Sequence, residues 1–136
     1  EPFRFRLDGD RVSGRFDCIE ERPEGEVVVD YKSGEAKEPK DADRKVKESL
    51  QMGLYALGFE AKFGRPPAAL ELQFLDSGTA GRLVPSEKWL QAARSKIREA
   101  AAGIRAGEFA AKPDYMNCSM CAYRRVCPEV YGRGAP

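Results

Sequence analysis

The feature that most limits what this chain can fold into is the run Val27-Val28-Val29, which leads straight into Asp30-Tyr31-Lys32. Three consecutive β-branched residues favour a strand over a helix. Because the run does not alternate apolar with polar, it predicts a strand buried on both faces, and therefore a sheet with further layers packed around it. Ser33-Gly34 ends the strand. Side chains alternate along a strand, so Asp30 and Lys32 project from one face. A carboxylate and an ammonium at the end of an apolar strand carry a desolvation cost that calls for a partner or a ligand.

The flanking segments supply the other layers. Phe3, Phe5 and Leu7 alternate with charged residues, Gly9-Asp10 supplies a turn, and Val12, Gly14, Phe16 and Cys18 resume the period of two. This predicts a hairpin whose second strand runs through Cys18, with Arg15 and Asp17 on its other face. Glu21-Arg22-Pro23-Glu24-Gly25 is expected to be a polar loop. From Asp41 to Phe63, apolar residues at Val46, Leu50, Leu54, Leu57 and Ala61 recur at three- and four-residue spacing, which predicts one helix of several turns. Gly64, Pro66 and Pro67 stop it. Leu70, Leu72 and Phe74 alternate, Asp76-Ser77-Gly78 turns, and Leu83-Val84 closes a second hairpin. Ser86 caps a last helix that carries Trp89, Leu90, Ala93, Ile97, Ala101 and Ile104 on one face and ends at Gly107. The order β-β-β-α-β-β-α predicts an α/β fold in which helices cover a mixed sheet.

A length of 136 residues suits one domain, and 42% hydrophobic with 33% charged residues describes an ordinary globule. No apolar run approaches the roughly 20 residues that span a bilayer, and no leader-like segment opens the chain, so the expectation is a cytoplasmic protein without a membrane partner. Lysine and arginine total 23 against 22 acidic residues, so the net charge of +1 makes no whole-domain argument for nucleic acid. The chain opens on Glu1-Pro2-Phe3 and enters a strand pattern at once, as expected of a fragment of a longer protein.

Asp17, on the preceding strand, is placed to bring a second carboxylate to Asp30. Two carboxylates, with waters and phosphate oxygens, are the ligands that Mg²⁺ or Mn²⁺ prefers. Lys32 would then stabilise charge on a phosphate or orient the attacking water. Gln51 and Tyr55, four apart, share one side of the following helix and would complete such a site if that side meets the strand ends. The same residues also fit a plainer reading: a salt-bridged Asp30–Lys32 pair, Asp17 in a turn, and a helix pair half-buried against the sheet.

Gly14-Arg15-Phe16-Asp17, Val28-Val29-Asp30-Tyr31-Lys32-Ser33-Gly34 and Gln51-x-x-x-Tyr55, in this order, resemble three successive motifs of RecB-like nucleases in the PD-(D/E)XK superfamily. The resemblance covers most of the chain. It extends to the nuclease domains of RecBCD and AddAB helicase-nucleases, to domains fused to UvrD-like helicases, and to nucleases of CRISPR adaptation. It implies a restriction-endonuclease-like core over residues 1–136, with a Cys-bearing tail at 108–136. By the same resemblance Asp17 and Asp30 are metal ligands, the Tyr31 carbonyl is a third, Lys32 is catalytic, and Gln51 and Tyr55 complete the site. The implied activity is Mg²⁺- or Mn²⁺-dependent DNA cleavage, as an exonuclease in repair or recombination, with a helicase domain in the same chain or in a partner subunit. Two departures stand out. Relatives carry an upstream helix with a His or Glu at the metal, whereas this sequence has no His, and Cys18 stands where many relatives have Arg.

Cys118-x2-Cys121-x5-Cys127 near the end has a first step that lets two thiolates reach one metal. It resembles three of the four cysteines that hold a 4Fe-4S cluster in RecB-like proteins, the fourth lying upstream of the core. Cys18 is expected to face away from Asp17 and not to serve as that ligand. Zinc, with an added oxygen donor or all four cysteines, and three packed thiols remain the other readings. Among functions, a nuclease leads. A nuclease fold without activity that binds single-stranded DNA or braces a helicase is the alternative, and a purely structural domain leaves the five polar positions unexplained.

Overall fold

The computed structural model describes residues 1–132, so residues 133–136 of the expected tail lie outside the described residues. The chain divides into two compact units, Glu1–Ala102 and Gly103–Pro136. In order, its elements are β1 (Pro2–Leu7), β2 (Asp10–Arg15), β3 (Cys18–Arg22), β4 (Gly25–Lys32), α1 (Pro39–Glu48), α2 (Leu50–Phe63), β5 (Ala69–Phe74), β6 (Thr79–Leu83), α3 (Glu87–Ala106) and α4 (Tyr115–Met120). β1 and β2 form an antiparallel ribbon. β3-β4-β5-β6 form a mixed sheet in which β4 and β5 run parallel and the outer pairs antiparallel. This is the mixed α/β architecture that the sequence predicts. Among the described residues no helix is long and apolar enough to cross a membrane.

Val27, Val28 and Val29 are all fully buried, as a run without alternation requires. Val28 joins the main core with Leu70, Leu72 and Phe74 of β5, Ala42 and Val46 of α1, the buried face of α2, and Leu90, Ala93 and Ile97 of α3. On the opposite face Val27 and Val29 pack with Ala69 and Cys18. α1 approaches β6 so closely that a Cβ at Gly81 would overlap the backbone of Ala42.

Four expectations need correction. The second strand does not run through Cys18, because Phe16 exchanges backbone hydrogen bonds with Glu1 at 2.9 and 3.1 Å and closes the ribbon there. The chain then turns at Asp17 and starts a new strand, β3, which pairs Cys18 with Val29 and Arg22 with Gly25. The polar stretch expected as a loop is therefore mostly strand, and only Pro23-Glu24 turns. The single long helix is two helices. Ser49 adopts an extended conformation, and its side chain accepts from Met52 N at 3.2 Å, so it ends α1 and caps α2. The break resets the helical phase, which leaves Leu50 and Ala61 exposed, keeps Leu57 buried and adds Met52, Tyr55, Ala56 and Phe59 to the buried face. At the far end of α3, the expected stripe stops at Ile97, and Ile104 is 64% exposed.

One buried carboxylate on the sheet was not anticipated. Glu71, on the same face as Val29, accepts from Arg22 Nη1 at 2.8 Å and Gln73 Nε2 at 2.9 Å, with Arg82 Nη1 at 3.5 Å. The Arg22 guanidinium holds the Glu71 carboxyl below the usual range, against the opposing effect of burial. A lowered folded-state pKa means that this contribution is present above the unfolded pKa of about 4.3 and is lost as pH falls through the folded value. Glu71→Gln is expected to destabilise the fold by about 1–3 kcal/mol at pH 7, with the difference from wild type closing below about pH 4. Urea denaturation across that range checks it, and a difference that ignores pH would assign the loss to packing.

Candidate active site

β4 is an interior strand, and its C-terminal end carries the site. Asp30 is 1% exposed. The antiparallel register that pairs Cys18 with Val29 brings Asp17 opposite Asp30 one step further on, beyond the end of β3. Asp17 itself is exposed, so the pair has one buried and one open carboxylate. Asp30 and Lys32 share a face as the strand period requires, and Lys32 Nζ lies 2.6 Å from Asp30 Oδ2.

Partners come from the first turns of α2, aimed by the Ser49 cap. Gln51 lies between the charges: its Oε1 accepts from Lys32 Nζ at 2.7 Å, while its Nε2 donates to Asp30 Oδ1 at 2.9 Å and to Tyr55 Oη at 3.0 Å. The Tyr55 hydroxyl in turn reaches Asp30 Oδ1 at 3.3 Å and Asp17 Oδ1 at 3.5 Å. Five polar residues from the Phe16–Cys18 junction, β4 and α2 thus form one connected network. The plain ion pair expected of Asp30 and Lys32 is present, but it is one contact within that network. Ser49, which sets the direction of Gln51, is the site contributor that the sequence reading missed. Its signal was available, since a Ser three residues before Met52 at the head of an apolar segment is a helix-start pattern.

The aromatic packing holds this arrangement from behind. The ring of Tyr55 meets Phe16 edge-on at 5.6 Å and Phe3 at 6.1 Å. Phe3 fits between two glycines, for a Cβ at Gly14 or at Gly58 would overlap its ring. The glycine of Gly14-Arg15-Phe16-Asp17 is thereby explained: it makes room for the residue that locks the ribbon, and with it Asp17, to α2.

Burial pushes the Asp30 carboxyl above its ordinary range, with the nearby Asp17 adding to the shift and Lys32 opposing it. Burial likewise pushes the Tyr55 phenol up to about 12, with the two carboxylates adding to the shift and the Gln51 hydrogen bond opposing it, so it stays a neutral donor at physiological pH. Asp30 Oδ2 accepts no well-directed hydrogen bond despite its nearness to Lys32, and it is the sole buried side-chain polar atom of the described residues in that state. A buried carboxylate that shares the Tyr55 hydroxyl with the open carboxylate of Asp17 suits a hard cation that takes oxygen ligands and retains waters. Among the described residues no three His, Cys, Asp or Glu side chains gather as a metal set, so the protein side chains available are Asp17 and Asp30. Tyr31 points its ring to the other face, 41% exposed and beside Cys18, which leaves only its backbone for a ligand role.

The tail cysteines are not brought together as ligands. Cys118 lies within α4, Cys121 caps that helix, and Cys118 Sγ accepts from Tyr131 N at 3.4 Å. Cys118, Cys121 and Cys127 are reduced and do not form a three-ligand set among the described residues. Cys127 follows on a turn closed by its N–H to Tyr123 O at 2.9 Å. Cys18 packs with Val27, Val29 and Ala69, facing away from Asp17 as expected.

A mixed sheet with a carboxylate-lysine cluster at the end of an interior strand defines an α/β protein with a polar site at that strand end. The sequence profile of the PD-(D/E)XK nuclease superfamily matches residues 1–128, and the chain belongs to that superfamily. No curated protein sequence matches it.

The network separates two roles of Tyr55 that experiment can distinguish. Tyr55→Phe keeps the ring and is expected to change stability by less than about 1.5 kcal/mol, whereas Tyr55→Ala empties the contact with Phe3 and Phe16 and should cost about 3–5 kcal/mol. Equal losses in denaturant titrations would mean that the hydroxyl, not the ring, carries the packing of this corner.

Proposed function

We propose that this chain is the RecB-like nuclease module of a DNA repair or recombination protein, hydrolysing DNA phosphodiesters, as an exonuclease, at Asp17, Asp30 and Lys32. The observation that carries the reading is the buried Asp30 carboxylate, paired with Lys32 and joined through Gln51 and Tyr55 to a second carboxylate, Asp17. When bound at Asp17, Asp30 and the Tyr31 carbonyl, Mg²⁺ or Mn²⁺ supplies a water of lowered pKa and neutralises charge at the scissile phosphate.

The remaining work falls to the chain's own groups. Asp30 is held through Oδ1 by Gln51 and Tyr55, so its carboxylate keeps its orientation when Lys32 leaves Oδ2. Lys32 is steadied by Gln51 Oε1 and keeps further N–H donors, which can turn from Asp30 to a non-bridging phosphate oxygen as negative charge develops there. Tyr55, a neutral phenol, lies between the two carboxylates and donates its one proton to Asp30 Oδ1 or to Asp17 Oδ1. A helicase domain, in the same chain or in a partner subunit, would deliver the DNA. The 4Fe-4S reading of Cys118, Cys121 and Cys127 needs a fourth ligand. An iron assay with a visible spectrum on the anaerobically prepared longer protein tests it, and an iron-free, colourless sample rejects it.

Asp30→Ala and Lys32→Ala are expected to abolish Mg²⁺- or Mn²⁺-dependent cleavage of DNA with the fold intact by circular dichroism. Mn²⁺ should raise the melting temperature of the wild type and not of Asp30→Ala, because a ligand stabilises only the state that binds it. DNA cleavage retained by a folded Asp30→Ala protein would falsify the catalytic assignment and favour a nuclease fold that binds DNA without cutting it.

A further inference from the structure

The near-neutral chain hides an uneven surface on the β1–β2 ribbon. Phe3, Phe5 and Leu7 of β1 turn to the main core, so Arg4 and Arg6 turn outward. The register sets Arg4 opposite Ser13, Arg6 opposite Arg11 and Pro2 opposite Arg15, which puts four exposed arginines on one face of a two-stranded ribbon. A shallow concavity of about 560 Å³ runs across it, lined by Arg4, Arg6, Arg11 and Ser13 with Phe5 and Val12.

Six other arginines of the same unit, Arg22, Arg44, Arg65, Arg82, Arg94 and Arg98, each form salt bridges. None of Arg4, Arg6, Arg11 and Arg15 does so among the described residues, and the contact seen for Arg6 is from Nη1 to the Gly9 carbonyl at 3.3 Å. Asp8 at the turn is committed to Arg98. Four uncompensated guanidiniums on a curved face repel one another unless an anion lies across them, and guanidinium is the side chain best matched to phosphate oxygens. The ribbon also feeds the site directly, because Arg15 is followed by Phe16 and Asp17, and Phe3 wedged between Gly14 and Gly58 fixes the ribbon to α2.

We propose that the outer face of the β1–β2 ribbon binds the sugar-phosphate backbone of the DNA cut at the Asp17–Asp30 site, with Arg15 nearest the reacting phosphate. This rests on the nuclease reading. The face offers charge and a serine hydroxyl, so it reads backbone and not bases, and its contribution is independent of DNA sequence.

The test is fluorescence anisotropy with labelled single-stranded and duplex oligonucleotides, in EDTA so that binding is measured without cleavage. The triple variant Arg4→Gln, Arg6→Gln, Arg11→Gln is compared with a control that removes three other exposed cations, Lys88→Gln, Lys96→Gln, Lys112→Gln. All six side chains are exposed, and circular dichroism checks both folds. The ribbon variant is expected to bind at least tenfold more weakly with either probe and to lower the slope of log affinity against log salt by about 2 to 3, one phosphate contact being worth about 0.7–0.9. The control should change affinity less than threefold. Equal losses in the two variants, or an unchanged salt slope in the ribbon variant, overturn the proposal. If the wild type cleaves DNA while the ribbon variant binds normally, this inference fails alone; if the wild type neither binds nor cleaves, the nuclease reading fails with it.

Discussion

The arrangement depends on one costly placement: the Asp30 carboxylate, 1% exposed at the end of a strand whose preceding three residues are valines. A charge in that position must be met by donors, and β4 itself supplies only Lys32, whose ammonium approaches one oxygen without a well-directed hydrogen bond. The other oxygen is met from α2, by Gln51 and Tyr55. The phase of that helix is therefore constrained by the carboxylate it serves, and the Ser49 break is what allows α2 a phase different from that of α1.

A second requirement follows from Asp17. It lies in no strand, at the junction where the ribbon ends and the sheet begins, so nothing in its own backbone ladder holds it. Its position is inherited from Phe16, fully buried and tied to Glu1, and from Phe3, which occupies the space that two absent side chains leave at Gly14 and Gly58. Aromatic packing thus sets a carboxylate spacing that hydrogen bonding then refines through Tyr55. The stability of this corner and the geometry of the site are one property, since the same tyrosine ring and hydroxyl serve both.

Charge is distributed by face. The surface of the sheet away from the main core carries Glu71 with Arg22 and Arg82, a cluster neutralised internally. The site gathers two carboxylates and one lysine, and the ribbon holds four arginines that form no salt bridge among the described residues. A net charge of +1 averages over these and conceals all three. For a superfamily whose members cut nucleic acid, the relevant quantity is where the cations are left unpaired.

By itself the sequence determined what strict periodicity encodes. The triple valine had to be a doubly buried strand, Asp30 and Lys32 had to share a face, and Gln51 and Tyr55 had to share a helix side, since those relations follow from backbone geometry with periods of 2 and 3.6. α3 with its Ser86 cap and the Asp76-Ser77-Gly78 turn were legible from local pattern too, whereas the short α4 was not. Tertiary structure decided whatever depends on a partner distant along the chain. The ribbon ends at Phe16 because Glu1 pairs with it, β3 exists because Val27 to Val29 offer it a ladder, and Glu71 is tolerated on an apolar strand because Arg22 lies across from it. Periodicity ran through Ser49 and Phe16 without interruption, as a local pattern cannot register a change of sheet or of helix axis. Meeting of the two carboxylates was settled there too, by aromatic rings packed into the space left by two glycines more than forty residues apart.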